Sequence, residues 1–581
     1  MLKDCLEVFK KQYEVKGEGY ILDDYVLVEG NYLLIDSEGK CKSFLEIGKK
    51  DKDKEIEIRD KTYQLFCEMD YLSKLADMNK ALGIKKVIHS NNYLSFFIKK
   101  DNLTSGKLTE EVIDKYYDCL ADPTAKHAKD KKWLELYEAV EQKYGKPDIE
   151  RLEKNKRWIK EHIYQILEEY PHIKQDKNYL KIFFEEDMNY FRMESNRYFL
   201  PNIYNATEYN VTIGNQIFGM PNDNLGLNSK KPYLRHRTRK NDTPYLIDTE
   251  EVMLQKKFFD YLMNKANQGY SNIYIDEDIH CLPGDQNMPN RFSGYFIRIK
   301  KGKEVEIKDF DTIACLNNEI SPCYIPKSIE IDYAKTKYKS ELGTEVIHQL
   351  DDLKRMINNV LFNRCLINSY FKESSEIQLN DIILKRNILE SRDAFFAWFY
   401  KGNETLIKPL FPSISLGIIK NTIGNGYRVR AQEQWMLREG IINYLNRGGV
   451  YVADNMKEKL DGLEAKINSD MQQSIEDDVE FAIAAGQLVN FFFSLSKANT
   501  PKHSLVNPIL NIKSDEKLKK ELEKLFKKYN YDIERRKGRR FNNLYAMVVA
   551  YTTKEKIKED ALIYGYLTNS LIYKKGEKGN E

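Results

Sequence analysis

Side chains suited to nucleic-acid chemistry are concentrated in residues 218–240, whose sequence is FGMPNDNLGLNSKKPYLRHRTRK. The first half is dense in Gly, Pro and Asn, which favours an ordered loop over a helix or strand. Asparagine carries a donor and an acceptor on a short stem and suits base edges, whereas a basic run suits phosphates. The predicted nucleic-acid-binding residues of this loop are Asn222, Asn224, Asn228, Lys230, Lys231, Arg235, Arg237 and Arg239. An ordered turn followed by a solvated basic strand edge explains the same residues without a ligand.

Arginine is unevenly distributed along the chain. Only 22 of the 92 basic residues are Arg, and 11 of those 22 fall in residues 235–239, 428–447 and 535–540. Lysine is therefore the background cation, balanced by 89 acidic residues, and a net charge of +3 hides local basic clusters. The arginine windows are the informative ones for phosphate binding.

In the second window, a turn at Asn425 and Gly426 is followed by alternating residue types. This pattern predicts a hairpin that places Arg428 and Arg430 on one face, where they could contact phosphates. The alternative is a helix in which the arginines pair with the carboxylates of residues 433 and 439.

The third window extends the basic character of residues 513–540, which hold 12 basic and 6 acidic side chains. Each phosphate contact made by such a charge adds a salt-dependent, sequence-independent contribution to binding. The predicted contacts at the end of this window are Arg535, Arg536, Lys537, Arg539 and Arg540. A solvated basic face is the alternative interpretation.

Signatures of catalysis are weak. The chain has no GxxxxGK[ST] loop, no strand-borne GxGxxG, no HExxH and no GxSxG motif. Asp276 with the string Glu306-Ile307-Lys308 could hold Mg²⁺ in a nuclease-like arrangement, but such strings arise by chance in a chain with 31% charged residues. The set His280, Cys281, Cys315 and Cys323 matches no standard zinc spacing. We therefore predict no catalytic residue, no metal and no cofactor.

Composition also indicates the cellular setting. The eight cysteines are scattered without a CxxC pair, which is typical of reduced thiols. The longest apolar stretch, residues 481–495, is interrupted by Gln487 and Asn490, so no membrane span is expected. The first residues are charged and lack an apolar leader segment. The expected location is the cytoplasm.

Hydrophobic periodicity predicts the elements that position these residues. Alternation predicts a small meander over residues 20–44, with turns at Gly30-Asn31 and Glu38-Gly39, and short strands over residues 86–99. Helical spacing is expected over residues 108–170 and 248–264, the latter with Asp248 as its N-cap. A hairpin over residues 293–313 and a helix over residues 346–371 follow.

Two helices are predicted to dominate the end of the chain. Residues 479–495 are apolar nearly all round, which is typical of the central helix of a bundle. Residues 514–529 place Leu518, Leu522, Leu525 and Tyr529 in one stripe backed by lysines. The predicted fold is a mixed α+β region over residues 1–373 and an all-α helical bundle over residues 374–581.

Three segments resemble one known family. They are residues 218–234 (FGMPNDNLGLNSKKPYL), the helix carrying Phe481 and Gly486-Gln487-Leu488, and the segment Arg539-Arg540-Phe541-Asn542-Asn543-Leu544. These segments and the chain length resemble the large subunit of the type I-B CRISPR surveillance complex, Cascade. Residues 1–200 contribute no motif to this resemblance.

The resemblance implies a non-catalytic role in RNA-guided DNA interference. In that family the large subunit lies near the 5′ end of the guide RNA, reads the short duplex motif beside the target (the PAM), and helps start strand separation and R-loop formation. Its C-terminal bundle resembles the small subunit, helps hold the displaced strand, and offers a docking surface for the helicase-nuclease. The implied partners are guide RNA (crRNA), target double-stranded DNA with its displaced strand, the other Cascade subunits and the helicase-nuclease effector.

On this interpretation the asparagines of the loop read the motif or wedge the duplex, and Lys230 and Lys231 contact phosphates. Some members of the family yield a separate small subunit by internal translation, for which Met436 and Met456 are possible starts. Two alternatives stay open. One is a metal-dependent nuclease acting on DNA or RNA through Asp276 and Glu306, and the other is a purely structural assembly scaffold.

Overall fold

The structure, a computed structural model, describes most of the chain. The described residues are 2–48, 60–76, 80–171, 173, 176–204, 207–214, 216–221, 246–336, 338–446, 452–496, 506–533 and 538–573. The chain divides into two units, one formed by Met1–Gly284 with Gly294–Thr312 and the other by Asp285–Ser293 with Ile313–Glu581. Residue 374, where the sequence predicted the boundary between the two regions, lies inside the second unit. A short 3₁₀ turn over Ser374–Glu376 is found there.

The first unit contains ten of the described helices. They are α1 (Leu2–Lys16), α2 (Gly19–Leu22), α3 (Lys61–Ser73), α4 (Lys100–Thr104), α5 (Glu110–Ala121), α6 (Lys131–Tyr144), α7 (Ile149–His162), α8 (Ile166–Glu169), α9 (Met188–Asn202) and α10 (Thr249–Asn267). The helices expected between residues 108 and 170 are confirmed. The N-cap of α10 is confirmed as well, because the Asp248 carboxylate accepts from the Glu251 backbone N–H at 2.8 Å.

Eleven strands lie before or between these helices in the part of the chain that the structure describes. They are β1 (Gly30–Ile35), β2 (Cys41–Ile47), β3 (Ser95–Lys99), β4 (Tyr179–Phe184), β5 (Val211–Ile213), β6 (Gln216–Gly219), β7 (Ile247–Asp248), β8 (Tyr270–Ile275), β9 (Ile279–Pro283), β10 (Phe292–Lys300) and β11 (Glu306–Leu316). They form three sheets with the strand orders β2-β1-β4-β3, β11-β10-β8-β9 and β5-β6-β7.

The meander expected over residues 20–44 is only partly correct. The turn at Glu38-Gly39 joins β1 to β2, but Gly30 begins β1 instead of forming a turn. The reason is a long-range pairing, since β1 lies parallel to β4 and Gly30 is opposite Tyr179. A Cβ on Gly30 would lie 2.4 Å from the Tyr179 carbonyl oxygen. Gly30 therefore allows β1 and β4 to lie closer together than a residue with a side chain would permit.

The second unit is mostly helical, which confirms the predicted α+β and all-α order of the fold. It contains the strands β12 (Glu319–Tyr324) and β13 (Val346–Gln349) and the helices α11 (Leu350–Val360), α12 (Ile382–Lys401), α13 (Ile407–Gly424), α14 (Arg428–Asn446), α15 (Val452–Asn468), α16 (Asp478–Ser494), α17 (Asn507–Leu510), α18 (Asp515–Ile533), α19 (Gly538–Ala550) and α20 (Glu559–Leu567). The helix expected from residue 346 begins only at Leu350, because β13 pairs with β12. It ends before Asn363 and Arg364, whose φ angles are positive.

Helix α16 is the centre of the second unit, as predicted. It crosses α20 at two glycines: a Cβ on Gly486 would lie 2.2 Å from the Leu562 carbonyl oxygen, and one on Gly565 would lie 2.2 Å from that of Ile483. Only glycine permits this approach. The polar residue Gln487, which interrupts the apolar stretch, donates to the Gly565 carbonyl at 2.8 Å and so satisfies a buried backbone group.

Candidate nucleic-acid interface

The Asn-rich segment is anchored at both of its ends. Strand β6 ends at Gly219, which pairs with Ile247 of β7 on the far side of the segment. The hydroxyl of Tyr204, which is 1% exposed, lies 2.8 and 2.9 Å from the carbonyl oxygens of Ile217 and Ile247, and its single hydrogen is shared between them. A Cβ on Gly219 would lie 2.5 Å from the Tyr204 ring, so this position requires glycine. The segment therefore begins and ends beside one paired set of strands.

The predicted contact residues between these anchors lie outside the described residues. They are Asn222, Asn224, Asn228, Lys230, Lys231, Arg235, Arg237 and Arg239, and the same holds for Arg535, Arg536 and Lys537 of the third window. Their roles stay predictions.

Arg428 lies at the start of α14, so the hairpin expected there is wrong. Its guanidinium donates to three carbonyl oxygens at the C-terminal end of α20, those of Tyr566, Leu567 and Thr568, over 3.1–3.3 Å. A further bond of 2.7 Å reaches Asn490 Oδ1 in α16. Together with the Gln432 and Asn490 amides, Arg428 thus supplies side-chain donors to the end of α20, where intrahelical donors are missing.

Arg430 has a similar role at another helix end. Its guanidinium donates to the carbonyl oxygens of Asn359 and Val360, at the C-terminus of α11, over 2.9 and 3.1 Å. The helical alternative was right about the secondary structure. However, Glu433 accepts hydrogen bonds of 2.7 and 2.8 Å from the hydroxyls of Tyr333 and Tyr338. Both arginines therefore donate to backbone carbonyl oxygens within the second unit.

Arg539 and Arg540 lie in the first turn of α19. Arg539 forms an ion pair with Asp470 and also donates to the Asn468 carbonyl at the end of α15. Nearby, the Asn543 amide donates to the Ile467 carbonyl at 3.0 Å. Arg540 is half-buried. The first turn of α19 is thus fastened to the end of α15, and Arg539 keeps a largely exposed side chain.

Helix α18 presents a basic stripe that we name the lysine face. Its members, Lys517, Lys520, Lys524 and Lys527, are exposed and spaced three or four residues apart, so they lie on one side of the helix. The opposite side contains Leu518, Leu522 and Tyr529, all buried. The sequence pattern predicted this separation, although the four lysines were not among the predicted contact residues.

Charge on the lysine face is only partly compensated. Lys524 pairs with Glu521 at 2.7 Å and Lys527 with Glu523 at 2.6 Å. The Glu523 carboxylate raises the pKa of Lys527 through a hydrogen bond. Lys517 and Lys520 form no ion pair with any described residue. Such a stripe can follow a phosphate backbone without reading its sequence.

The residues considered for catalysis have ordinary partners. Asp276 accepts from His280 Nε2 at 3.0 Å and from the Asp278 backbone N–H at 2.9 Å. Glu306 and Lys308 form an ion pair of 2.8 Å. Among the described residues, no three His, Cys, Asp or Glu side chains are grouped closely enough to hold a metal ion.

No helix within the described ranges is long and apolar enough to cross a membrane. Comparisons of the chain with protein-family models, with curated proteins and with solved structures gave no match.

Proposed function

We propose that the chain is the non-catalytic large subunit of a type I-B CRISPR interference complex. In this role it recognises the duplex motif that flanks the target, promotes DNA unwinding and R-loop formation, and contributes to recruiting the helicase-nuclease. The proposal starts from the three segments that resemble the family. The observation that carries it further is the lysine face of α18, a one-sided cationic surface on a helical bundle.

The described residues of two resembling segments have clear roles in this bundle. Gly486 and Gln487 make the crossing of α16 with α20, and Phe541 is buried against Phe491, Phe492 and Phe526. These residues support a folded C-terminal bundle that leaves the lysine face to the solvent. The guide–target heteroduplex is about as stable as the DNA duplex that it replaces. Sequence-independent contacts of this kind with the DNA backbone can therefore shift the equilibrium towards the R-loop.

Salt-dependent DNA binding by the full chain tests the lysine face. The variant carries Lys517→Gln, Lys520→Gln, Lys524→Gln and Lys527→Gln, and fluorescence anisotropy with single- and double-stranded DNA is measured over a salt series. We expect the slope of log affinity against log salt to flatten by about 0.7–0.9 for each phosphate that the variant no longer neutralises. The matched control removes four exposed lysines of α1 with Lys3→Gln, Lys10→Gln, Lys11→Gln and Lys16→Gln. Equal slopes for both variants would reject the lysine face as the DNA-binding surface.

Two further measurements test the assembled function. Co-expression with a guide RNA and the other complex subunits is expected to give co-purification of the RNA with this chain. In that complex, Asn222→Ala with Asn224→Ala is expected to abolish the preference for targets that carry the flanking motif. A target without the motif serves as the control, and an unchanged preference would contradict the motif-reading role.

A further inference from the structure

The first unit contains an open cavity of about 350 Å³ between α5, the loop after it, α6 and α9. Its walls include Cys119 of α5, Lys126 and His127 of the loop, Trp133 of α6, and Arg197 of α9. This volume lies within the range of small-ligand pockets, about 300–1,000 Å³. No role in the proposed function requires it.

Three parallel rings form one side of this cavity. His127 stacks on Trp133 with centroids 3.8 Å apart and ring planes 14° apart, and Trp133 stacks on Tyr137 at 5.4 Å and 9°. Trp133 and Tyr137 are 5% and 2% exposed, whereas His127 is half-buried. The stack therefore runs from the buried interior to a solvent-accessible end at His127, where a further flat ring could be added.

Cationic groups surround the open end of the stack. Burial, together with the neighbouring charges of Lys126 and Lys80, lowers the pKa of His127 to about 4, so the ring is neutral at physiological pH. The Lys126 ammonium has three donors and gives two of them to the carbonyl oxygens of Ala81 and Leu82, at 2.7 and 3.3 Å. At the inner end, the charge of Arg197 is already paired with Glu194 at 3.0 Å. Two lysines, Lys80 and Lys126, therefore act on His127 against one carboxylate, that of Asp130, which leaves a positive excess near the ring.

We propose that this cavity binds a nucleotide, with the base stacked on His127 and the phosphate beside Lys126. The volume of about 350 Å³ suits a single nucleotide better than a chain of bases. Two kinds of ligand carry such a nucleotide: a free nucleoside monophosphate and the phosphorylated end of a nucleic-acid strand. The inference goes beyond the proposed function and does not depend on it.

Calorimetric titration of the full chain tests the proposal, with AMP, GMP, CMP and UMP as probes, the four nucleosides for comparison, and inorganic phosphate alone. We expect saturable binding of at least one nucleotide, weaker binding of its nucleoside, and no binding of phosphate. His127→Leu is expected to weaken nucleotide and nucleoside about tenfold, because it removes the stacking ring. Lys126→Gln is expected to weaken the nucleotide severalfold while leaving the nucleoside unchanged.

Matched controls keep these effects specific. His162→Leu removes a histidine that stacks on Trp158 at 4.6 Å and does not line the cavity, and Lys129→Gln removes an exposed lysine of the same loop. Both are expected to bind like the unmodified chain. A 5′-phosphorylated trinucleotide, tested as a competitor, distinguishes the two kinds of ligand: tighter binding than the mononucleotide indicates a strand end, and failure to compete indicates a free nucleotide. Absence of saturable nucleotide binding, or unchanged binding by His127→Leu, would overturn the proposal.

Discussion

Positive charge has opposite uses in two parts of the second unit. At the crossing of α16 and α20, the Arg428 guanidinium is enclosed and its donors are taken by carbonyl oxygens. On α18, the lysine face is exposed and half of its members have no ion pair among the described residues. The difference follows from the neighbours. A planar guanidinium next to unsatisfied carbonyls at a helix end becomes a cap, whereas an ammonium on an open helix face stays available to a partner.

The largest loss of stability is expected from adding a side chain where α16 contacts α20. Gly486→Ala would place a Cβ 2.2 Å from backbone oxygen, so the helices must separate and the crossing that Arg428 caps is disrupted. We expect a destabilisation of about 3 kcal/mol or more, measured by denaturant unfolding. The control is Gly462→Ala in α15, where a Cβ meets no atom within 4 Å and a gain of about 0.5–1 kcal/mol is expected. Similar stability of the two variants would contradict the close packing.

Removal of the Arg428 cap is expected to have the next largest effect. Arg428→Ala removes the side-chain donor of the Tyr566 carbonyl oxygen and one of the two donors to those of Leu567 and Thr568, to which Gln432 and Asn490 also donate. We expect a cost of about 1–3 kcal/mol in unfolding free energy. Arg428→Lys retains the charge but not the planar fork, so it should recover only part of this loss. If Arg428→Ala instead weakened DNA binding without changing stability, this arginine would belong with the lysine face.

Acid is expected to destabilise the N-terminal end of α16 in the second unit. Asp477 caps α16 by accepting from the backbone N–H groups of Val479 and Glu480 at 3.0 and 2.9 Å, and Asp478 accepts from the Tyr551 hydroxyl at 2.8 Å. Burial alone would raise both pKa values. The ion pair with Lys459 and the backbone hydrogen bonds lower the pKa of Asp477, and hydrogen bonds from the Lys554 backbone N–H and the Tyr551 hydroxyl lower that of Asp478.

A lowered carboxyl pKa stabilises the fold above the unfolded-state value of about 3.9. The contribution is complete at neutral pH and is lost as the pH falls through the folded-state pKa values. Chemical denaturation between pH 7 and pH 2 checks this. The stability difference between the unmodified chain and Asp477→Asn with Asp478→Asn should shrink towards acid, and a constant difference would contradict the assignment.

The smallest effect on stability is expected from the lysine face itself. Replacing its four lysines by glutamine keeps a good helix former at each position and removes only two exposed ion pairs among the described residues, so the unfolding free energy should change far less than in Arg428→Ala. A thermal melt checks this. A loss of stability comparable to that of Arg428→Ala would show that the lysine face is packed against other parts of the protein. The difference proposed between the two regions would then be wrong.

Sequence patterns predicted local features well and long-range partners poorly. The buried helix α16, the amphipathic α18 and the Asp248 cap follow from spacing within a single element. In contrast, β1 begins at Gly30 because of a strand about 150 residues further along the chain, and no local pattern encodes that pairing.

The candidate site shows the same limit. Arginine clustering selected residues 428–430, but it could not reveal that carbonyl groups from α11 and α20 occupy both guanidinium groups. The 3-4 spacing of the lysines predicted that they lie on one side of α18. Because lysine is common throughout this chain, that spacing alone did not single them out as nucleic-acid contacts. The distinguishing information is which acceptors surround each cation, and that depends on tertiary structure.

The glycine pair at the crossing also restricts how this protein can vary during evolution. At both positions the atoms that a side chain would strike belong to the backbone of the opposite helix. A larger residue at one position therefore cannot be compensated by a smaller side chain at another. We expect orthologous chains to retain glycine at positions 486 and 565 together, even where the lysine face has changed in number or order of charges.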